Sequence, residues 1–226
     1  MVGILKLVIK YCLYKLYWFR QVKILFSANV AMCSTFEGMC KIYKYTSFKG
    51  HLGMGSYIAN NCSLSAYIGR FTSIAPFVRC NYGIHPYQAP FVSTSPCFYS
   101  LNPSHLQCGS TFATEQLINE FSLIDVKHGI ALRIGNDVWI GEGAFLVGGI
   151  VIDDGAVILA HSVVTQDVPP YAVVGGSPAR IVKYRYDTDT VQWLLKIKWW
   201  NNSKEWFAEN WRLITDIEKL KDYYKE

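Results

Sequence analysis

Residues 134–169 read IGNDVW, IGEGAF, LVGGIV, IDDGAV, ILAHSV and VTQDVP, hexads in a single register. The leading positions hold Ile134, Ile140, Leu146, Ile152, Ile158 and Val164. Four residues after each stand Val138, Ala144, Ile150, Ala156, Ser162 and Val168. With aliphatics at about a quarter of positions, this alignment arises by chance roughly once in four thousand for a given phase. A strict six excludes an amphipathic helix, whose apolar positions recur at three and four. It also excludes one long strand, which alternates by two. A short strand followed by a sharp turn fits. The large aliphatic points inward and the small residue fills the corner. Gly135, Gly141, Gly143, Gly149 and Gly155 fall at or near corners, where positive φ or close backbone approach is tolerated. Stacked units of this kind form a parallel β-helix, and three per coil make a triangular prism.

Working outward, a weaker copy lies upstream in LGMGSY (52–57), IANNCS (58–63), IGRFTS (68–73) and IAPFVR (74–79). The step from Ile58 to Ile68 is longer than six, and the same slip recurs between Val164 and Val174. Both blocks therefore belong to one solenoid, and residues 80–131 are an excursion from it. Insertions of this length in a compact domain are usually functional or disordered. Prolines 86, 90, 96 and 103 punctuate it, and its aromatics (Tyr82, Tyr87, Phe91, Phe98, Tyr99, Phe112) argue against disorder. The expected organisation is an N-terminal segment 1–30, a β-helix domain 31–185 and a helical tail 186–226. In the tail, Asp189 is expected to cap a helix carrying Val191, Leu194 and Leu195. Ser203 opens a second helix, and Ile214, Ile217 and Leu220 mark a third. The tail is expected to cap the open solenoid end or to pack between subunits. Pro169-Pro170 is a place for a cis peptide at a turn.

The whole chain of 226 residues is 51% hydrophobic and 17% charged, which excludes disorder and a bundle of membrane spans. A net charge of +5 is compatible with an anionic ligand or a membrane surface and is no nucleic-acid signature. Seven cysteines, none in C-x-x-C spacing, argue against zinc or a disulfide framework and for a reducing cytoplasm. Residues 2–19 are apolar and aromatic but are interrupted by Lys6, Lys10 and Lys15, with Arg20 following. They read as an amphipathic helix rather than a span. Such a helix packs on the protein's own body or on a neighbour, or lies in a membrane interface, so residues 1–28 are a candidate contact with the inner face of the cytoplasmic membrane.

The run from Ile134 to Arg185, together with YIGRFTSIAPFVRCNYGIHPYQAPFVSTSPCFY at 67–99, resembles the hexapeptide-repeat acetyltransferases. Within them it is similar to the xenobiotic-acetyltransferase branch, in which a His-Pro step opens a long loop. The tail stretch KYRYDTDTVQWLLKIKWW is similar to that branch too. The branch holds chloramphenicol and streptogramin acetyltransferases and many O-acetyltransferases of bacterial surface polysaccharides. The resemblance implies a left-handed β-helix, a homotrimer and acetyl-CoA as acyl donor.

His85, in G-I-H-P, is the expected catalytic residue. Transfer to a hydroxyl needs a base for its proton, and an imidazole titrates near neutrality. The resemblance gives the matching histidine that role, and its other ring nitrogen then needs an orienting acceptor. For the donor, the resemblance points to Trp139, Gly141, Glu142, Ala160, Thr165, Gln166, Arg180 and Lys183. Ala160 is small enough for a pantetheine arm to lie on the coil, and the two cations suit phosphates. Tyr82, Ser93, Thr94, Ser95 and Tyr99 are expected to frame the acceptor pocket. His51, His105, His128 and His161 are competitors for chemistry. His161 is expected to serve at a surface corner, and no metal site is expected. The leading expectation is an O-acetyltransferase acting on a surface polysaccharide or its sugar precursor. A drug acetyltransferase and a non-catalytic scaffold are the alternatives.

Overall fold

The computed structural model describes residues 2–102 and 109–225. Pro103, His105 and Cys108 lie outside the described residues. The chain divides into two compact units, residues 1–186 and 187–226.

The first unit is a parallel β-solenoid with three faces. The first face stacks Val22–Ile24, Cys40–Ile42, Tyr57–Ile58, Ser73–Ile74, Trp139–Ile140, Val157–Ile158 and Ala172–Gly176. The second runs from Asn29–Val30 through the first halves of Ser47–Leu52 and Ser63–Ile68 to Arg79–Asn81, Phe145–Val147 and Val163–Val164. The third runs from Thr35–Phe36 through the second halves of those two strands to Leu132–Ile134 and Val151–Ile152. The leading aliphatics of the hexads stand directly over one another. Ile24, Ile42, Ile58, Ile74, Ile140, Ile158 and Val174 form one unbroken ladder, all buried. Each fully buried Ile contributes about 1.5–3 kcal/mol, so the ladder is a large part of what holds the unit together.

The slip in the hexad period has a structural cause. Between the second and third faces some coils pass straight through in one strand, with Phe48, Gly50 and Leu52 all inward, rather than turning through a full hexad. Val168 bridges to Ile152 on the third face, so the step after Val164 is the same shortened corner. The excursion leaves and returns at this corner, after Arg79–Asn81 and before Leu132–Ile134.

Corners hold fewer glycines than the sequence suggests. Along one edge the left-handed position is occupied by Tyr45, Asn61, Phe77, Gly143 and His161; along another by Met39, Gly55, Phe71, Asp137, Gly155 and Tyr171. A left-handed non-glycine costs about 1–2 kcal/mol, so the coil packing must offset it. The glycines among them have a steric task. A Cβ on Gly155 would sit 2.4 Å from the Tyr171 ring, and one on Gly55 2.7 Å from Phe71, so each glycine makes room for the ring above it.

The helix α1 (Val2–Tyr17) closes the N-terminal end of the solenoid. Tyr14 Oη donates to Val30 O at 2.7 Å and accepts from Val30 N at 2.8 Å, satisfying an edge strand's orphan groups. Trp18 packs edge-on against Phe36 at 5.1 Å. The solenoid thus begins at Val22–Ile24, upstream of the boundary expected at residue 31, because its first coil lacks the glycine-marked hexads that make later coils readable. At the far end, Ala179–Tyr184 folds back antiparallel on Ala172–Gly176. Among the described residues the cis peptides are Ala89–Pro90 and Ser177–Pro178, not Pro169-Pro170, where left-handed Tyr171 turns the corner instead.

In the second unit, α2 (Thr188–Ile197), α3 (Lys204–Asn210) and α4 (Ile217–Tyr223) follow in order. The cap of α2 is Asp187 rather than Asp189. Asp187 has extended backbone and accepts from Thr190 N at 2.9 Å, which leaves Asp189 in the first turn where its charge suits the helix dipole. Ser203 caps α3 by accepting from Trp206 N, as its position suggests.

Candidate functional site

The excursion is pinned to the solenoid at both legs. Its outgoing and returning legs pair with each other through Ile84 N to Glu120 O and Ser122 N to Tyr82 O. They cross the coil over Gly148-Gly149. A Cβ on Gly148 would lie 2.4 Å from Tyr82 Cβ and from Ser122 O, so only glycine lets the legs approach this closely. Further along, Tyr67 Oη donates to Asp125 Oδ2 at 2.7 Å, and His128 Nδ1 lies 2.7 Å from the same oxygen. The Tyr67 and His128 contacts together hold the Asp125 carboxyl well below the ordinary range.

These anchors place His85 at the corner between the second and third faces, beside a cleft of about 410 Å³. The cleft is lined by Ser63, Cys80, Asn81, Tyr82, Ile84, Tyr99, Glu120 and Phe121 among others. His85 is exposed, and its Nδ1 lies 2.9 Å from Thr94 O. A carbonyl only accepts, so this contact puts the ring proton on Nδ1. The Tyr99 hydroxyl oxygen, 2.9 Å from the same nitrogen, braces the ring from below. Nε2 is left as the basic nitrogen. Burial, and then the Glu120 charge, push the Tyr99 hydroxyl above its ordinary value, so it stays protonated.

Of the expected acceptor residues, Tyr82 lines the cleft. Tyr99 is 1% exposed and its polar end is engaged with His85, so it orients the histidine. Thr94 acts through its carbonyl. Ser93 Oγ accepts from Ser95 N, and Ser95 Oγ lies 2.7 Å from Cys97 Sγ, so both hydroxyls are used in shaping the turn Pro96–Phe98. Glu120, which the sequence reading did not single out, is a carboxylate only 7% exposed on the cleft wall, steadied by Gln116 Nε2 at 2.7 Å. A lone acid between Asn119 and Phe121 in an apolar stretch was its one signal. Burial pushes the Cys80 thiol up to about 12, so it is protonated and not a nucleophile at neutral pH. His51 is bound to Thr35 and faces Glu37, His128 is held by Asp125, and His161 sits at its left-handed corner. None of the three lines the cleft.

The expected donor residues fall into two groups. Trp139 lies on the outer side of the first face, half-exposed, and Gly141 stacks directly under Ala160 at the next corner. A Cβ on Gly141 would meet Ala160 N at 2.5 Å, and Glu142 O accepts from His161 N there, so Gly141 and Ala160 leave a low shelf at this corner, suited to a narrow chain. Thr165, Gln166 and Arg180 line a second cavity of about 350 Å³. Arg180 and Lys183 share one side of the terminal hairpin. A bulge pairs Gly175 with Arg180 but Val173 with Lys183, which corrects the parity a spacing of three would otherwise give. Among the described residues, no group of three His, Cys, Asp or Glu is placed to hold a metal.

Residues 132–166 match the bacterial transferase hexapeptide model of six repeats. The chain is 51% identical over 76 residues to a chloramphenicol acetyltransferase of Agrobacterium fabrum, covering 34% of each chain. It is 43% identical over 58 residues to the galactoside O-acetyltransferase of Escherichia coli, covering 26% of this chain and 29% of that protein. It thus spans about a third of these relatives' length. In fold it is similar to a mutant of AntD, an N-acyltransferase from Bacillus cereus, at 15% identity and a TM-score of 0.52, over 84% of this chain and 96% of that one. Repeat, relatives and solenoid together fit a hexapeptide-repeat acetyltransferase.

Proposed function

We propose that the chain is an acetyl-CoA-dependent O-acetyltransferase whose acceptor is a hydroxyl of a bacterial surface polysaccharide or of its sugar precursor. One observation carries this reading. An exposed imidazole, its Nδ1 fixed by Thr94 O and Tyr99, presents Nε2 at a cleft with a buried carboxylate on its wall. Acetyl-CoA supplies the activated acyl group. His85 Nε2 takes the acceptor hydroxyl's proton as that oxygen bonds to the thioester carbonyl carbon. It returns the proton to the departing thiolate, and the acetyl ester and free CoA result. Glu120 can accept hydrogen bonds from further acceptor hydroxyls. The shelf of Gly141 and Ala160 fits the pantetheine arm, with Trp139 and Glu142 beside it. Thr165, Gln166, Arg180 and Lys183 serve the nucleotide end.

We propose a homotrimer, and the places where these groups stand support it. His85 is at the corner between the second and third faces, and the shelf is at the corner between the first and second. Three copies around an axis would bring one corner of each against the other corner of its neighbour. The solenoid from Val22 onward would then serve as the catalytic body and residues 187–226 as an accessory tail, in the cytoplasm.

A drug acetyltransferase is the second reading, favoured by the similarity to chloramphenicol acetyltransferases. Thiol release from acetyl-CoA, measured with oligosaccharides, nucleotide sugars and chloramphenicol, decides between them. We expect turnover with a sugar. Turnover with chloramphenicol alone would favour the second reading, and no acetyl-CoA binding by calorimetry would leave only a scaffold. Tyr99→Phe is expected to lower kcat about fivefold while leaving the KM for acetyl-CoA unchanged, since it removes one orienting contact worth about 1 kcal/mol. Steady-state kinetics at saturating acceptor check this.

A further inference from the structure

The N-terminal helix has a second face that the solenoid does not use. Tyr14 and Trp18 turn inward. On the opposite side Ile9, Leu13 and Leu16 stand in a row at helical spacing, 52%, 39% and 77% exposed, with Tyr17 and Phe19 beside them at 64% and 68%. Leaving such a row in water forfeits the stabilisation its burial would give, so the face is built for a partner.

The charge around it says which kind. Residues 1–36 contain Lys6, Lys10, Lys15, Arg20 and Lys23 and not one Asp or Glu; the first acid is Glu37. Lys15, Arg20 and Lys23 also rim a groove of about 380 Å³ at the foot of the helix, floored by Tyr14, Trp18 and Met39. Arg20 lies over the ring of Phe19 at 5.5 Å, which holds one cation beside the apolar row, while Lys15 lies over Tyr11 at 5.6 Å on the groove side of the helix. A second copy of this chain would bring like charges together on that rim. A bilayer with anionic headgroups meets both features at once, with acyl chains for Leu13 and Leu16 and phosphates for the cations. Among the described residues no helix is long and apolar enough to cross a membrane, so the contact would be interfacial.

We infer that α1 and the groove at its foot seat this protein on an anionic phospholipid surface. The inference does not depend on the acetyl-transfer reading, and its test does not use it. The full chain is sedimented with vesicles of phosphatidylcholine alone and of phosphatidylcholine with phosphatidylglycerol. Binding to the anionic vesicles is expected to be at least about tenfold tighter and to weaken as salt is raised. Leu13→Glu/Leu16→Glu is expected to abolish it. Lys15→Glu/Arg20→Glu is expected to remove the preference for phosphatidylglycerol. Unchanged thermal melting in both variants shows that the fold persists. Equal binding to both vesicles, no binding by the parent chain, or a particle mass by light scattering that falls in Leu13→Glu/Leu16→Glu without vesicle binding would each overturn the inference. The last would assign the face to a second copy.

Discussion

His85→Ala is expected to lose acetyl transfer by about a hundred- to ten-thousandfold, the usual worth of a positioned general base. Binding of acetyl-CoA should hold, because the shelf at Gly141 and Ala160 stands at a different corner from the histidine. Stability should hold as well. The imidazole is exposed, and its polar contacts are Thr94 O and the Tyr99 hydroxyl. The loss should therefore appear in kcat and kcat/KM alike, with an unshifted melting temperature. An Ala substitution at His51 serves as the control, since its imidazole is bound to Thr35 and does not line the cleft. Transfer by His85→Ala within a few fold of the parent would remove the base from the proposed reaction. Cys80 could not replace it, because its thiol is held protonated by burial.

The solenoid was legible because one physical constraint repeats. Every coil must put an aliphatic over the last, and from Ile134 to Val164 the hexad phase records this without interruption. The slip at Ile58–Ile68 was visible as a number, but its cause, a strand running straight through a corner, was not. Glycine gave only part of the corner code. Tyr45, Phe71 and Tyr171 occupy left-handed positions because axial stacking outweighs local preference, and propensity reasoning has no access to that. His85 stood out through its Pro-linked position. What fixes its tautomer did not, since Thr94 contributes a carbonyl, which every residue has, from nine positions away. Tyr99 was expected at the acceptor pocket from the resemblance of its loop; it does line the cleft, but its hydroxyl meets His85 Nδ1, a contact that residue type alone does not show. The shared side of Arg180 and Lys183 depends on a bulge that leaves no trace in residue type.

That axial stacking makes Gly50→Ala the substitution expected to damage the fold most for the fewest atoms added. Gly50 sits between inward Phe48 and Leu52 in the strand Ser47–Leu52, where the shortened corner is cut, and its φ is +135°. It pairs with Ala66 of the next coil, and a Cβ built on it would lie 1.9 Å from Ala66 O and 2.7 Å from Ala66 C. Those are backbone atoms of the adjoining coil, locked in the ladder from both sides, and no rotamer can relieve the clash. The left-handed side of φ adds about 1–2 kcal/mol for any L side chain, and forcing the coils apart adds about 1–3 kcal/mol. The expected loss of about 2–5 kcal/mol lowers the melting temperature by roughly 4–20 °C for a domain of this size. Ala66→Gly is the matched control. It changes the other member of the same pair by one methyl, in the opposite sense, and should cost only about 1 kcal/mol of backbone freedom beyond its small packing loss. Differential scanning calorimetry on both variants checks the ordering. A Gly50→Ala protein that melts no lower than Ala66→Gly would mean that neighbouring coils can slide apart at this corner, and that the shortened step is not rigid.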